Sequence, residues 1–140
     1  MEDRVRGTML LVLLVATAVS YAAITPELER HMATAQSSDR LPVHIVLKEQ
    51  FDAGLLNRLV DGMPRAQRRV EVARILEDFS AGQQKALLAW LAAEQAQGRV
   101  ADVRPLWIVN AVYCEATPAV IRALSERIGK TLPFADIFAL

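Results

Sequence analysis

Few side chains in this sequence suit catalysis. Hydrolysis by a nucleophile needs an activated serine or cysteine beside a base and an oriented acid. The sequence has one cysteine, Cys114, and two histidines, His31 in a polar stretch and His44 inside an apolar run. It contains no nucleophile motif, phosphate-binding glycine loop or metal-ligand spacing. We therefore expect a protein that is not an enzyme and that uses no cofactor or metal. An enzyme with an unrecognised site remains the alternative.

Each candidate group also has a structural interpretation. Cys114 is expected to be a buried small hydrophobe on a strand rather than a reactive thiol. His44 is interpreted as a strand histidine with a satisfied hydrogen bond rather than as a ligand or base. Glu77 and Asp78 are adjacent on a predicted helix and point in different directions, unlike paired catalytic carboxylates.

One segment is rich in arginine. Such a segment could bind an acidic partner. However, acidic residues are interleaved with the arginines at helical spacing and are expected to neutralise the charge of this helix surface. The arginines are Arg65, Arg68, Arg69 and Arg74, and the acidic residues are Glu71, Glu77 and Asp78.

Bulk composition narrows the class of partner. The 140 residues fit one domain, and 53% apolar residues are ample for a core. Sixteen basic residues balance sixteen acidic ones. This balance gives no general electrostatic reason to expect nucleic acid or an anionic membrane as partner. A protein partner is therefore favoured.

The N-terminal residues have the order of a signal peptide. A charged start precedes an apolar run over residues 9–19 and then small residues. We expect residues 1–23 to direct secretion, with cleavage after Ala22, and the protein to be secreted, periplasmic or in the cell envelope. Glu2 and Asp3 are unusual in such a start, and the uncharged stretch 7–24 approaches a bilayer span. An uncleaved anchor is therefore the alternative.

The first half of the remaining chain predicts one strand and three helices. Residues 24–41 are polar and lack an apolar period, which indicates a linker. Residues 43–47 are typical of a buried strand, and 52–60 of a short helix. A longer helix is predicted to begin at Pro64, and a separate one at Ser80, where a capping box occurs, running to Gln97.

The second half predicts a hairpin, a helix and a strand. Residues 103–109 and 112–114 are rich in β-branched and aromatic residues, with the turn expected at Asn110 and Ala111. Thr117 and Pro118 start a helix that Gly129 ends. Residues 134–140 suit a final strand. This order predicts an α+β fold, a ferredoxin-like antiparallel sheet over residues 42–140 with helices on one face, preceded by a signal-type apolar helix. The uncovered face would need a partner.

Residues 43–128 resemble the N-terminal propeptide of bacterial subtilisin-like serine proteases, particularly the bacillopeptidase F-like branch. The resemblance lies in HIVLK at 44–48, RVEVARIL at 69–76, QQKALLAWL at 83–91 and VRPLWIVNAV at 103–112. It implies an inhibitor and folding chaperone of a secreted protease, present here without the catalytic domain. An envelope-anchored adaptor for a different protein is the alternative function.

The resemblance also implies an interface with the protease. Sheet contacts would come from Pro105, Leu106, Trp107, Ile108, Val109, Ala111, Val112, Tyr113, Cys114 and Glu115. Glu115 would cap a protease helix at its N-terminus. An inhibitory tail of Phe138, Ala139 and Leu140 would lie in the active-site cleft. Trp107 is either an anchor in this interface or a half-buried residue packed under a helix.

Overall fold

The computed structural model describes residues 23–140, which form an α+β domain with an antiparallel sheet. The helices of this part are α1 (Pro26–Thr34), α2 (Ala53–Leu59), α3 (Arg65–Ala96) and α4 (Pro118–Arg127). The strands are β1 (Leu41–Leu47), β2 (Val100–Leu106), β3 (Ala111–Ala116) and β4 (Ala135–Ala139). They are arranged in the order β2-β3-β1-β4, so the first strand lies inside the sheet between the third and the fourth.

Alternation along the strands separates two faces of this sheet. On β1, Val43, Ile45 and Leu47 are buried, whereas His44 and Val46 between them are half-buried. Because successive strand side chains point to opposite faces, one face lies in the core and the other does not. Three helices contribute to the same core: Leu28 and Met32 from α1, Leu87 and Leu91 from α3, and Val120, Ile121 and Leu124 from α4.

A bulge in β2 determines which of its side chains reach the uncovered face. Ala101 lies opposite Glu115 and Arg104 lies opposite Tyr113, so β2 carries one extra residue over this interval. Asp102 has φ of 51°, in the left-handed region that helps a strand to bulge. The extra residue places Arg104, rather than Val103, across from Tyr113.

The predicted linker over residues 24–41 is wrong because it contains α1. Thr25 caps this helix: its hydroxyl accepts a hydrogen bond from the Leu28 amide at 3.4 Å. Leu28 and Met32, one turn apart, are 0% and 5% exposed in the shared core. The domain therefore starts well before residue 42, since α1 covers part of the sheet.

The two predicted helices over residues 64–97 form the single helix α3, so the predicted break at Ser80 is wrong. The Ser80 hydroxyl does not cap a new helix but donates to the carbonyl oxygen of Glu77 at 3.1 Å. A serine inside a helix can bond back to the preceding turn in this way. The short helix α2, the strand β1 and the final strand β4 lie where the sequence predicted them.

The hairpin and the start of α4 differ from prediction in detail. The β2–β3 turn consists of residues 107–110, because Ala111 already pairs with Leu106. Asn110 lies in this turn with φ of 39°, a conformation that asparagine tolerates better than most residues. Thr117 occupies the cap position of α4, but its buried Oγ1 has no hydrogen-bond partner within the described residues.

The predicted signal peptide and its cleavage site at Ala22 lie outside the described residues, except for Ala23. Ala23 is 6% exposed, and its carbonyl oxygen accepts a hydrogen bond from the Ile137 amide at 2.5 Å. Over residues 23–140, no helix is long and apolar enough to span a bilayer.

Candidate functional site

The sheet face turned away from the helices is the candidate site, here called the open face. Its side chains are exposed or half-buried, apart from the buried Ala111 in the β3 register. The residues are Pro42, His44 and Val46 on β1, Arg104 and Leu106 on β2, Tyr113 and Glu115 on β3, and Asp136 and Phe138 on β4. A mixed apolar and charged surface of this kind is suited to a protein partner.

One row of side chains crosses all four strands. Phe138 lies opposite His44, His44 opposite Tyr113, and Tyr113 opposite Arg104. The rings of His44 and Tyr113 meet edge to face, with centroids 5.6 Å apart. The Arg104 guanidinium carbon lies 5.4 Å from the centre of the Tyr113 ring. The row gives the open face a continuous, partly aromatic ridge.

Two charged side chains near the row form ion pairs with neighbouring residues. Arg104 donates from Nε to Asp102 Oδ1 at 2.8 Å and from Nη2 to Asp102 Oδ2 at 2.5 Å. The same pairing raises the pKa of Arg104. Lys48 forms an ion pair with Asp136. Glu115 has no ion-pair partner among residues 23–140, so its carboxylate is free to receive a donor from another molecule.

The tyrosine of the row stays protonated at neutral pH. Partial burial, together with the nearby Glu115 and Asp102 carboxylates, raises the pKa of Tyr113, while Arg104 acts in the opposite direction. The phenol therefore remains a hydrogen-bond donor across the physiological range. It combines a large apolar ring with a polar group, a combination common at the centre of protein interfaces.

The structure splits the set of predicted interface residues. Leu106, Tyr113 and Glu115 belong to the open face. Val112 and Cys114 do not, and their inclusion was wrong: both are 0% exposed on the helix side of the sheet. Consecutive residues of a strand cannot share one face, so a continuous stretch of β3 cannot form a contact surface. Burial also raises the pKa of the Cys114 thiol to about 12.

Ala111 needs a separate correction as an interface residue. It follows the same alternation as Tyr113, but its side chain is 1% exposed beside Val46 and Leu106. Its carbonyl oxygen accepts a hydrogen bond from the buried Gln84 amide at 3.2 Å. Ala111 therefore supports the turn and offers no surface to a partner.

The remaining predicted contacts lie at the β2–β3 turn, beyond the open face. Ile108 is 67% exposed and Val109 is 51% exposed, and an open apolar cavity of ≈ 350 Å³ is lined by residues 105–109. Trp107 is half-buried, and with Pro105 it lines a second cavity of ≈ 200 Å³ beside Ser80 and Leu88 of α3. The placement of Trp107 against α3 favours the packed interpretation of this side chain.

The predicted inhibitory tail is largely part of the sheet, which contradicts its role as a free segment. Phe138 and Ala139 belong to β4 and pair with His44 and Val43 of β1. The Leu140 amide donates to the Pro42 carbonyl oxygen at 3.3 Å. This pairing holds the segment in the sheet, with one edge of β4 on β1 and with Ile137 on the other edge bonded to Ala23 and Thr25. Phe138 instead contributes its side chain to the open face.

Sequence reasoning missed five members of the open face, Pro42, His44, Val46, Arg104 and Asp136, of which His44 and Arg104 belong to the central row. The sequence predicts a hydrogen-bonded strand histidine at His44, whereas its ring packs edge to face against Tyr113 and its side chain makes no hydrogen bond with any of residues 23–140. Arg104 lies in the segment 103–112, which carries the resemblance to the propeptides, but the sequence assigns it no role. The alternation of buried and half-buried positions on β1 could have assigned His44 to the outer face, but only the bulge brings Arg104 there.

No metal centre accompanies this surface: the described residues contain no group of three or more histidine, cysteine, aspartate or glutamate side chains that could hold an ion. No family model, curated protein or solved structure matches the chain.

Proposed function

We propose that this chain is a propeptide-like inhibitor and folding chaperone of a secreted subtilisin-type serine protease and is not itself an enzyme. The proposal includes a ferredoxin-like sandwich, secretion through residues 1–23, and a protease catalytic domain as the partner. The strand order β2-β3-β1-β4, with α3 and α4 in the two crossovers, supports the fold.

The observation that carries the proposal is the open face. Three helices pack on the opposite face of the sheet, while the row from Phe138 to Arg104 stays accessible. Half-exposed aromatic side chains in a rigid sheet cost little conformational entropy on binding. A partner that covers this row would gain apolar burial without a change in the sheet itself.

The charge pattern supports a helical partner surface. Glu115 flanks the row and lies opposite Pro42 on β1 and Ala101 on β2. A carboxylate in this position can receive the unpaired amides at the N-terminus of a helix in the partner. Docking of a sheet on such helices could hold a folding intermediate together, which is the chaperone part of the proposal.

Inhibition would then begin with the docked sheet rather than with a free tail. Phe138 and Ala139 are paired in β4 and the Leu140 amide donates to Pro42, so the part of the predicted tail that projects into solvent is the Leu140 side chain, which is 63% exposed. If inhibition is steric, the cleft of a protease bound to the open face would lie near Leu140, at the C-terminal end of β4. A steric inhibitor blocks large substrates more strongly than small ones, so a comparison of protein and peptide substrates tests this arrangement.

The first experiment titrates purified residues 23–140 against a secreted subtilisin-type protease, with a peptide and a protein as substrates. We expect tight inhibition, and we expect the chain to increase the yield of active enzyme when the denatured catalytic domain is refolded. A reduced rate of refolding, or no binding at any accessible concentration, would contradict the proposal and favour an adaptor with another partner.

A further inference from the structure

The sheet has two outer strands, β2 and β4, and the outer edge of β4 is covered by the chain that enters the domain. The Ile137 amide donates to the Ala23 carbonyl oxygen at 2.5 Å, and the Thr25 amide donates to the Ile137 carbonyl oxygen at 3.1 Å. Ile24 forms a parallel bridge with Ile137 and packs against the core. The middle of β4 therefore has backbone partners on both sides.

The outer edge of β2 has no strand beside it within residues 23–140. Its apolar side chains Val100, Val103 and Leu106 are typical of a strand that pairs well. The unpaired backbone groups of such an edge can bind another strand, and two identical strands can pair antiparallel about a two-fold axis. A second copy of this chain is therefore the molecule most directly suited to the edge of β2.

The bulge is the first obstacle to such pairing. Val103 packs against the core and Arg104 lies opposite Tyr113 on the open face, so the two neighbours keep the normal alternation of a strand. Asp102, with φ of 51°, is the extra residue. Because a bulge bends and twists its strand, an added strand could not form a continuous ladder along β2.

Two further features of β2 oppose pairing. Asp102 and Arg104 form an ion pair at the edge, with their side chains 37% and 67% exposed. Pro105 has no amide hydrogen, and a proline is tolerated in an edge strand where its nitrogen faces away from the neighbouring strand. An added strand would therefore find no donor at Pro105. Bulges, charged side chains and prolines each protect edge strands, and β2 has all three within residues 102–105.

We propose that residues 102–105 close β2 to strand addition and so keep two copies of this chain from joining their sheets edge to edge. Residues 23–25 cover β4, so neither edge of the sheet accepts an extended segment. A partner of the sheet must then bind through side chains, and the open face presents them. The proposal does not depend on whether that partner is a protease.

The test removes the three features from the full chain. The open-edge variant combines deletion of Asp102 with Arg104→Thr and Pro105→Thr. Deletion of the extra residue should preserve the register, because Val103 stays on the core side and position 104 stays opposite Tyr113. Circular dichroism shows whether the variant is folded.

Two other variants accompany it. The bulge-retaining variant carries Arg104→Thr and Pro105→Thr without the deletion, so its chain length is unchanged. The control carries Pro64→Thr and Arg65→Thr, which are the same two kinds of replacement at exposed positions outside the sheet. Hydrogen–deuterium exchange of residues 100–106, measured by mass spectrometry at low and high protein concentration, distinguishes pairing at β2 from association through any other part of the chain.

We expect exchange over residues 100–106 to be independent of concentration in the native chain and in the control. In the open-edge variant, exchange should slow about tenfold once about nine tenths of the molecules are paired, because the paired amides exchange only from the unpaired tenth. The bulge-retaining variant should lie between the two.

Three results would overturn the proposal. The first is protection of residues 100–106 that rises with concentration in the native chain, because the edge would then already be open. The second is an open-edge variant that is folded and exchanges like the native chain. If the deletion prevents folding, the bulge-retaining variant decides, and exchange like that of the native chain is the third.

Discussion

Replacement of Gln84 by leucine should destabilise the domain more than the replacement of any other polar residue of α3 by leucine. Gln84 is 1% exposed, and its Nε2 lies 3.1 Å from the Leu106 carbonyl oxygen, 3.1 Å from Asn110 Oδ1 and 3.2 Å from the Ala111 carbonyl oxygen. Asn110 in turn donates to the Glu49 carbonyl oxygen at 2.6 Å. One amide therefore joins the long helix to the β2–β3 turn and, through Asn110, to the end of β1.

The magnitude follows from the acceptors that lose this donor. A buried polar group left without a partner costs about 1–3 kcal/mol. The Asn110 Oδ1 atom is buried and loses its partner fully, while the two carbonyl groups are less affected because strand pairing and solvent remain available. Leucine recovers part of the loss through apolar burial. We expect the free energy of unfolding to fall by about 3 kcal/mol, which lowers a urea midpoint by about 2 M at a slope of about 1.5 kcal/mol/M.

The assay is urea denaturation followed by circular dichroism, with Gln95→Leu as the matched control. Gln95 is exposed on the same helix and its side chain makes no hydrogen bond within the described residues, so its replacement should change stability by less than about 0.5 kcal/mol. If Gln84→Leu were as stable as Gln95→Leu, the amide would not secure the turn and the reasoning would be refuted.

Two further predictions concern buried groups. Thr117→Val should leave the free energy of unfolding unchanged or raise it by about 1 kcal/mol, because Oγ1 is buried without a partner among residues 23–140. If the Thr117 hydroxyl did cap α4, the same substitution would lower the free energy of unfolding by about 1 kcal/mol. Urea denaturation distinguishes the two results. Cys114 should resist a thiol reagent until urea unfolds the chain. Because its pKa rises from 9.0 to about 12, the unfolded thiol releases its proton first, so stability should fall as pH increases from 9.0 to about 12, which denaturation at several pH values will show.

Local periodicity was sufficient for much of the fold. Residues 43–47 are a β-branched run, and Thr117, Pro118 and Gly129 mark the ends of a helix, so β1 and α4 could be located from neighbours in sequence. The long helix could not be predicted as one piece. A serine followed by glutamine three residues later is compatible both with a capping box and with a helix interior, and only packing against the turn decides between them.

The candidate site was harder to predict because it depends on distant pairings. The four residues of the central row come from four strands, and Arg104 joins it only through the bulge at Asp102. Helix α1 was missed for a similar reason: its two buried residues, Leu28 and Met32, are too few to produce an apolar period, and they are buried only because the sheet lies beneath them.

The resemblance supplied a continuous segment as the interface, and strand geometry divides that segment. Tyr113 and Glu115 face outward, whereas Val112 and Cys114 face the core. A continuous segment therefore predicts too many contact residues, because the register of the sheet determines which side chains of a strand can touch a partner.

The most direct test of the proposed function compares the inhibition of a subtilisin-type protease by the unaltered chain, by Tyr113→Ala and by Val70→Ala. Tyr113 is at the centre of the open face, and Val70, which is 70% exposed near the start of α3, does not belong to the sheet. Loss of a central interface tyrosine costs about 2 kcal/mol, so we expect the inhibition constant of Tyr113→Ala to rise by about thirtyfold and that of Val70→Ala to stay unchanged. Equal inhibition by all three proteins, or none by the unaltered chain, would contradict the assignment of the open face as the protease-binding surface.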